Sequence, residues 1–166
     1  SLTVGLAREP VYLLHFALPR RSTTSFERKN LFYETLQTED KVGTLIKYFN
    51  DNRNPAIVYC RSRARTEQVT QQLKNAGLKC DFFHGGLSTD IKKEKLDDWI
   101  GEKNLIMVAT SAFGMGIDKS NVGTVVHLLL PESMEAYYQE TGRAGRDGTT
   151  AKALLLLHTS DYDRLK

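Results

Sequence analysis

Short apolar runs rich in β-branched and aromatic residues alternate with amphipathic helical patterns from residue 31 onward. Several of these runs are apolar throughout, which is typical of strands covered on both faces of a parallel sheet. Helices lying between such strands in sequence supply those covers. The pattern therefore predicts an α/β fold, a three-layer α/β/α domain with a mostly parallel central sheet. The predicted strands are Leu31–Leu36, Ala56–Cys60, Cys80–Phe83, Leu105–Ala109, Thr124–Leu128 and Ala151–Leu157.

The segments between the strands carry signals for four helices. Apolar residues recur at the i, i+3, i+4 and i+7 positions of the first segment, which predicts an amphipathic helix over Glu39–Asn50. Serines that can cap a helix N-terminus precede the other three helices, and glycines stand where the first two of these should end. The capping serines are Ser62, Ser88 and Ser133, and the ends are expected near Asn75 and Ile100, before Gly77 and Gly101.

Residues 1–24 break this alternation. They contain Pro10, Pro19, an Arg20-Arg21 pair and a short Ser/Thr run, a composition that favours a linker or the tail of a preceding domain. Because 166 residues suit one compact domain, we expect residues 25–166 to form that domain.

Composition excludes several classes of protein. With 40% hydrophobic and 26% charged residues the chain resembles ordinary globular domains rather than disordered or fibrous ones. We expect no membrane span, because no apolar run approaches the ~20 residues required, and we see no secretion signal. Cys60 and Cys80 lack the spacing of a zinc site or a disulfide framework, so a cytoplasmic location is expected.

Net charge does not decide whether the chain binds nucleic acid. The formal charge is +3, but residues 31–166 contain 18 Lys and Arg against 18 Asp and Glu. Phosphate contacts depend on where the basic side chains point, not on their sum.

Three segments follow strand ends, where open α/β sheets bind ligands. In the first, Arg61, Arg63 and Arg65 surround the start of a predicted helix, and a helix N-terminus with nearby cations suits an anion. The alternative is a solvated helix face. In the second, Gly114 and Gly116 follow a strand and would let the backbone approach a phosphate or sugar; the alternative is a tight turn, in which Asp118 would also be an ordinary residue.

The third segment places two arginines in a glycine-rich loop directly after a helix. Arg143 and Arg146 alternate with glycines over residues 142–148. Guanidinium groups are permanently charged and suit the spread charge of a phosphoryl-transfer transition state. In the alternative interpretation, the arginines pair with Asp147 and Glu140 within the domain.

In this order and spacing, the three segments resemble motifs IV, V and VI of the second RecA-like domain of superfamily 2 helicases. The amino-acid sequences of residues 112–119 and 138–148 resemble the RecQ family specifically. Residues 83–87, Phe-His-Gly-Gly-Leu, are similar to that family's aromatic-His-x-Gly-Leu element, and residues 25–31 resemble the segment that opens its second motor domain. The resemblance covers roughly residues 25–158, and it implies a RecA-like fold and an ATP-dependent DNA helicase.

The resemblance implies that ATP is bound between two motor domains and that this domain contributes arginines to it. Arg146 is then the expected arginine finger, with Arg143 beside it on the triphosphate. Gln139 would couple the nucleotide to the DNA side. Gly116 and Asp118 would lie near the nucleotide, with Asp118 approaching the ribose.

The resemblance also implies contacts with single-stranded or partly unwound DNA. Arg61, Ser62, Thr110 and Ser111 would lie along the nucleic-acid backbone, with His84 nearby. Such contacts position a strand without reading its sequence.

Two motifs that an ATP-hydrolysing helicase requires are not found in the sequence, namely Gly-x-x-x-x-Gly-Lys-Ser/Thr and an Asp-Glu-x-His box. We therefore expect ATP and Mg²⁺ to be held mainly by a first RecA-like domain of the same polypeptide. By itself, this chain is expected not to hydrolyse ATP.

Three other interpretations remain open on the sequence. Cys60 and Arg65 form a Cys-x-x-x-x-Arg loop that resembles a rhodanese sulfurtransferase, whose cysteine is a thiolate nucleophile. A DEAD-box RNA helicase motor would share the same backbone contacts. A catalytically inactive interaction module on the same fold is the third.

Overall fold

A parallel six-stranded β-sheet forms the centre of the protein. The computed structural model describes residues 28–111, 113 and 117–163. In the described part the strand order is β1-β6-β5-β2-β4-β3, and every neighbouring pair is parallel. The strands are β1 Leu31–Gln37, β2 Ala56–Tyr59, β3 Cys80–Phe83, β4 Ile106–Ala109, β5 Thr124–His127 and β6 Ala151–Leu157.

Helices join these strands, and side chains cap their N-termini. Hydroxyl oxygens of Ser62, Ser88 and Ser133 accept hydrogen bonds from backbone N–H groups three residues later, so unsatisfied donors of the first turn gain partners. In the described residues the helices are α1 Lys41–Asp51, α2 Arg63–Asn75, α3 Thr89–Ile100, α4 Met134–Thr141 and α5 Thr159–Asp163.

Apolar side chains fill both sides of the sheet. On one side, Leu45 and Phe49 of α1 and Leu73 of α2 are buried against the sheet. On the other, Trp99 of α3 packs with Phe113 and with residues of the central strands. Both faces of the sheet are covered, which fits the apolar sequences of β2 and β4, while the neighbouring β5 contains the buried polar residues Thr124 and His127.

The predicted elements are confirmed, with small shifts at their ends. All six strands lie within one residue of their predicted bounds. Helix α1 begins at Lys41 rather than Glu39, because the Asp40 carboxylate accepts the Gly43 N–H at 3.0 Å and makes Asp40 the cap. Helix α5 has no predicted counterpart. The expectation for residues 1–24 lies outside the described residues.

The ends of α2 and α3 differ in conformation. Gly77 follows α2 with a φ of +84°, in the left-handed region that favours glycine. After α3 it is Glu102, at +63°, that takes this conformation, while Gly101 stays at −78°. Both helices end where the sequence predicts, at Asn75 and at Ile100 with Gly101 as its C-cap, and they differ only in which following residue takes the left-handed conformation.

The parallel arrangement brings the carboxyl ends of all strands to one edge of the sheet. The three candidate segments follow β2, β4 and α4 at this edge. In the described part of the chain, the helices are too short or too polar to cross a membrane.

Candidate functional site

A cleft of ≈ 270 Å³ opens at the carboxyl ends of β2, β4 and β5. We call it the strand-end cleft. It collects four of the residues predicted for the functional site, because parallel neighbouring strands deliver their following loops to the same edge. These four are Arg61, Ser111, Gln139 and Arg143, and they share the cleft with Tyr59, Cys60, His127, Leu129, Leu130, Pro131, Glu132, Ala136 and Glu140.

Arg143 and Arg146 lie in the glycine-rich segment after α4, residues 142–149, which we call the arginine loop. Arg143 Nη1 donates to the Gln139 carbonyl at 2.7 Å, while its buried Nε has no hydrogen-bond partner among the described residues. Arg146 is exposed. Both residues line a small recess of ≈ 10 Å³ together with Trp99 and Val122, so the two arginines lie close together in the fold.

The carboxylates that were alternative partners for these arginines are taken by other groups. Asp147 accepts from the Thr149 N–H at 3.1 Å and from the Thr149 hydroxyl at 2.7 Å, and these hydrogen bonds lower the pKa of the Asp147 carboxyl. Glu140 lies 2.9 Å from His127 Nε2. The described residues contain no ion pair to Arg143 or Arg146. The interpretation that they pair internally with Asp147 and Glu140 is wrong.

His127 and Glu140 form a buried pair that the sequence did not predict. His127 is 1% exposed, and its ring stacks on Tyr59 with centroids 4.9 Å apart and meets the Tyr137 ring edge-on at 4.9 Å. Its Nδ1 has no described partner. In the sequence, the one indication of a functional role for His127 is its position at the end of β5. An ordinary buried strand residue could occupy the same position, so this indication does not single it out. The pair joins the sheet to α4, the helix from which the arginine loop emerges.

Arg61 and Ser62 lie where β2 passes into α2. Arg61 is exposed and lines the strand-end cleft, while the Ser62 hydroxyl accepts the Arg65 N–H at 3.1 Å. The Arg63 guanidinium lies so close to Gly86 that a Cβ there would approach it to 3.1 Å. Two arginines thus flank the helix N-terminus, and Arg61 remains open to solvent.

His84, Thr110 and Ser111 follow β3 and β4. His84 is 7% exposed; its Nε2 lies 3.1 Å from Glu67, and its Nδ1 accepts the Gly86 N–H at 3.1 Å. Both ring nitrogens therefore have partners, and the side chain orders the following turn. Thr110 is partly exposed and Ser111 is exposed. Ser111 reaches the strand-end cleft, but Thr110 and His84 do not line it.

The second candidate segment is described from Ile117 onward. Asp118 is exposed, and the prediction for Gly116 lies outside the described residues. Lys119 is buried and donates to the Ile100 carbonyl at 3.2 Å. Its Nζ also lies 3.5 Å from the Glu102 carboxylate. This lysine ties the segment to the end of α3.

Comparison with known proteins identifies the domain. The model of the helicase conserved C-terminal domain matches residues 40–148. The chain belongs to the helicase C-terminal domain family. It is 40% identical over 149 residues to the ATP-dependent DNA helicase RecQ of Bacillus subtilis, which covers 89% of this chain and 25% of that protein. It is also 40% identical over 149 residues to the ATP-dependent DNA helicase Q1 of Pongo abelii, covering 86% of this chain and 23% of that protein.

The resemblance to RecQ helicases is therefore confirmed, and this helicase C-terminal domain spans about a quarter of the length of these relatives. Among solved structures, the Escherichia coli DEAD-box protein SrmB, bound to the regulator of ribonuclease activity RraA, superposes with a TM-score of 0.71. The match covers 82% of this chain and 81% of that one at 23% identity, which supports the fold. The predicted RecA-like architecture is confirmed.

The sulfurtransferase alternative requires a thiolate at Cys60, but the helicase domain buries this side chain to 2% exposure. Burial raises the pKa of the Cys60 thiol to about 12, although Arg65 and Lys41 act in the opposite direction. At neutral pH the thiol is therefore protonated and shielded from substrates. Its position indicates a core residue rather than a nucleophile.

We expect both cysteines of the helicase domain to react slowly with a thiol reagent at pH 8. Cys80 is also buried, and burial raises the pKa of its thiol to about 11. Colour release from a disulfide reagent should be slow in buffer and should reach two thiols per chain in denaturant, because the chain contains two cysteines. Fast modification of Cys60 in the folded chain, abolished in Cys60→Ser, would contradict this assignment.

The described residues contain no group of three or more His, Cys, Asp or Glu side chains that could hold a metal ion. The polar lining of the cleft includes guanidinium, hydroxyl and amide donors, beside the carboxylates of Glu132 and Glu140. This donor set suits phosphate oxygens, because guanidinium groups bind them through two parallel hydrogen bonds.

Proposed function

We propose that this chain is the second motor domain of an ATP-dependent DNA helicase of the RecQ type. The observation that carries the proposal is that Arg143 and Arg146 line one recess and have no carboxylate partner in the described part of the domain. Arg143 is partly buried and Arg146 is exposed; a partly buried positive charge without a counterion, as at Arg143, is costly unless another group neutralises it. A triphosphate bound by the rest of a longer polypeptide would be such a group.

The residues of this chain act on that triphosphate by position and charge. The nucleotide, bound with Mg²⁺ mainly by a first RecA-like domain, supplies the phosphoanhydride bond that is hydrolysed. Arg146 is exposed and can cross the gap between the domains, so we assign it as the principal arginine finger. Arg143, anchored on the Gln139 carbonyl, is assigned to stabilise the same charge from the side. Arginines placed in this way contribute electrostatic stabilisation to the transition state.

Gln139 and Asp118 complete the nucleotide side of the proposal. Gln139 lies one helical turn before Arg143 and lines the strand-end cleft, which supports a role in coupling the nucleotide to the nucleic-acid side. Asp118 is an exposed carboxylate, as a contact with a ribose hydroxyl requires. Gly116 is assigned to the same side from the resemblance alone.

The nucleic-acid side is assigned to the loops that follow β2 and β4. Arg61, Ser62, Thr110 and Ser111 present a cation and hydroxyl groups at one edge of the sheet, and such groups hold a phosphate backbone without reading bases. His84 is buried, so we assign it a supporting role: it orders the turn that follows β3. The backbone of that turn can then approach the DNA strand. The partner is single-stranded or partly unwound DNA, and the protein acts in the cytoplasm or nucleus, where that DNA lies.

The choice of DNA over RNA is tested on the full-length polypeptide. Its rate of ATP turnover is measured with single-stranded DNA and with RNA of the same sequence. We expect stimulation by DNA, decreasing as salt is raised, because backbone contacts release counterions. Selective stimulation by RNA would favour the DEAD-box alternative, and no stimulation by either would favour an inactive interaction module.

A further inference from the structure

The arginine loop has hydrogen bonds of its own, among them the Gly148 N–H to the Gly145 carbonyl at 3.0 Å, but its composition makes it costly to order. It contains three glycines, Gly142, Gly145 and Gly148, and glycine loses more backbone freedom than any other residue when it becomes ordered. Gly145 has a φ of +65° and Gly148 a φ of +87°, conformations that other residues rarely adopt. Donors and acceptors from elsewhere in the domain add to the hydrogen bonds within the loop and fix its backbone further.

Side-chain donors for the loop come from a segment distant in sequence, the residues immediately before β1. Arg28 places both arms of its guanidinium on the loop: Nη1 donates to the Gly142 carbonyl at 2.8 Å and Nη2 to the Gly145 carbonyl at 2.7 Å. Hydrogen bonds with a charged donor are stronger than neutral ones. A single side chain thus spans the loop from Gly142 to Gly145, on either side of Arg143.

Asn30 holds the same backbone from a second position. Its Nδ2 donates to the Gly145 carbonyl at 2.7 Å and to the Thr149 carbonyl at 2.8 Å. Because both partners are carbonyls, the orientation of this amide is unambiguous. Contact is so close that a Cβ on Gly145 would come within 2.7 Å of Asn30 Nδ2.

The far side of the loop is bonded to the segment that leads into β5. The Gly145 N–H donates to the Val122 carbonyl at 2.7 Å, and the Asp147 N–H donates to the Ser120 carbonyl at 3.0 Å. Gly145 is therefore held from both sides, by Arg28 and Asn30 on one and by Val122 on the other. Arg146 directly follows this fixed point.

We propose that Arg28 and Asn30 are positioning residues for ATP hydrolysis: they hold the arginine loop so that Arg143 and Arg146 are aimed before the nucleotide arrives. The inference rests on the function proposed above for these two arginines. Neither positioning residue lies within residues 40–148, the range matched by the family model. Pre-organised charges stabilise a transition state without reorganising during the reaction, and small misplacements are costly to the rate.

The test uses the full-length protein and compares turnover with nucleotide binding. We expect Arg28→Ala to lower kcat on the order of 10²-fold, the effect of misplacing a reacting group by about 1 Å. Binding of a non-hydrolysable ATP analogue should change by less than about threefold, because the interaction is gained only in the transition state. Asn30→Ala should show the same split between kcat and binding with a smaller loss.

A double-mutant cycle separates positioning from general stabilisation of the fold. If Arg28 acts through Arg143 and Arg146, then adding Arg28→Ala to a variant that carries both Arg143→Ala and Arg146→Ala should cost less than about threefold more in kcat, since the groups it positions are already gone. Equal losses in both backgrounds would overturn the proposal, and so would a wild-type kcat in Arg28→Ala. A wild-type kcat in Arg146→Ala alone would instead overturn the proposed function.

Two further variants guard against misfolding and nonspecific effects. Arg28→Lys keeps the charge but cannot bridge two carbonyls as the guanidinium does, so we expect a folded protein with an intermediate kcat; wild-type kcat here would also overturn the proposal. Arg53→Ala removes an arginine from the exposed loop before β2, where its contact with Asn50 is a long 3.4 Å. This control should leave kcat unchanged, and an equal loss in it would contradict a specific role for Arg28.

Discussion

Replacing Arg146 with alanine in the full-length protein is expected to reduce ATP turnover by ~10³–10⁵-fold. This corresponds to about 4–7 kcal/mol of lost transition-state stabilisation. The side chain is exposed and has no carboxylate partner within the described ranges, so its removal should leave the fold intact. ATP binding should persist, because the finger acts on charge that develops during phosphoryl transfer.

The measurement is steady-state ATP hydrolysis with saturating single-stranded DNA, together with nucleotide affinity from a fluorescent analogue. Arg53→Ala serves as the matched control, since it removes an exposed arginine from the opposite end of the sheet. Turnover within a few fold of wild type in Arg146→Ala, with normal DNA binding, would rule out this residue as the principal finger. A severe loss in Arg143→Ala alone would transfer the role to Arg143.

Replacing Trp99 with alanine is expected to destabilise the 166-residue chain by about 3–5 kcal/mol. The indole is fully buried, donates from Nε1 to the Leu105 carbonyl at 3.1 Å, and meets the Phe113 ring edge-on at 5.4 Å. The substitution would leave a cavity and remove one of two hydrogen bonds to the Leu105 carbonyl, which would keep the one from the Ala56 N–H at 2.9 Å. It would also remove the floor of the recess lined by Arg143 and Arg146.

Urea unfolding followed by circular dichroism measures this loss of stability. The neighbouring Ile100 on the same helix provides the control, since it is 39% exposed and Ile100→Ala should cost about 0.5 kcal/mol or less. A loss below about 1 kcal/mol for Trp99→Ala would contradict the packing described for this side of the sheet. Complete unfolding would agree with it, because domains of this size are stable by only about 5–15 kcal/mol.

Elements governed by local pattern could be predicted from the sequence. The apolar strands, the amphipathic α1 and the serine caps each depend on residues within a few positions of one another. The parallel sheet followed from the alternation of these elements. Consequently Arg61, Ser111, Gln139 and Arg143 could be expected at one edge of the sheet from the sequence alone, and the strand-end cleft brings them together.

Contacts between distant residues could not be predicted in this way. Arg28 lies 117 residues from Gly145, and nothing in a local pattern indicates which carbonyl a guanidinium will meet. The pairing of His127 with Glu140 has the same origin, because it depends on how α4 packs against β5. Residues 25–31 resemble the segment that opens the second motor domain of RecQ helicases, but the sequence alone assigns them no role. The hydrogen bonds of Arg28 and Asn30 to the arginine loop are the basis for the role proposed above.

The central claim is that guanidinium groups of the arginine loop reach a triphosphate held by another part of the polypeptide. The most direct measurement is a structure of the full-length protein with ADP and a fluoride mimic of the transferred phosphoryl group. The account predicts that Arg146 Nη atoms lie ~2.7–2.9 Å from the mimic, with Arg28 still bonded to the Gly142 and Gly145 carbonyls. A structure in which the mimic is bound while Arg143 and Arg146 both point away from it, toward carboxylates or solvent, would contradict the account.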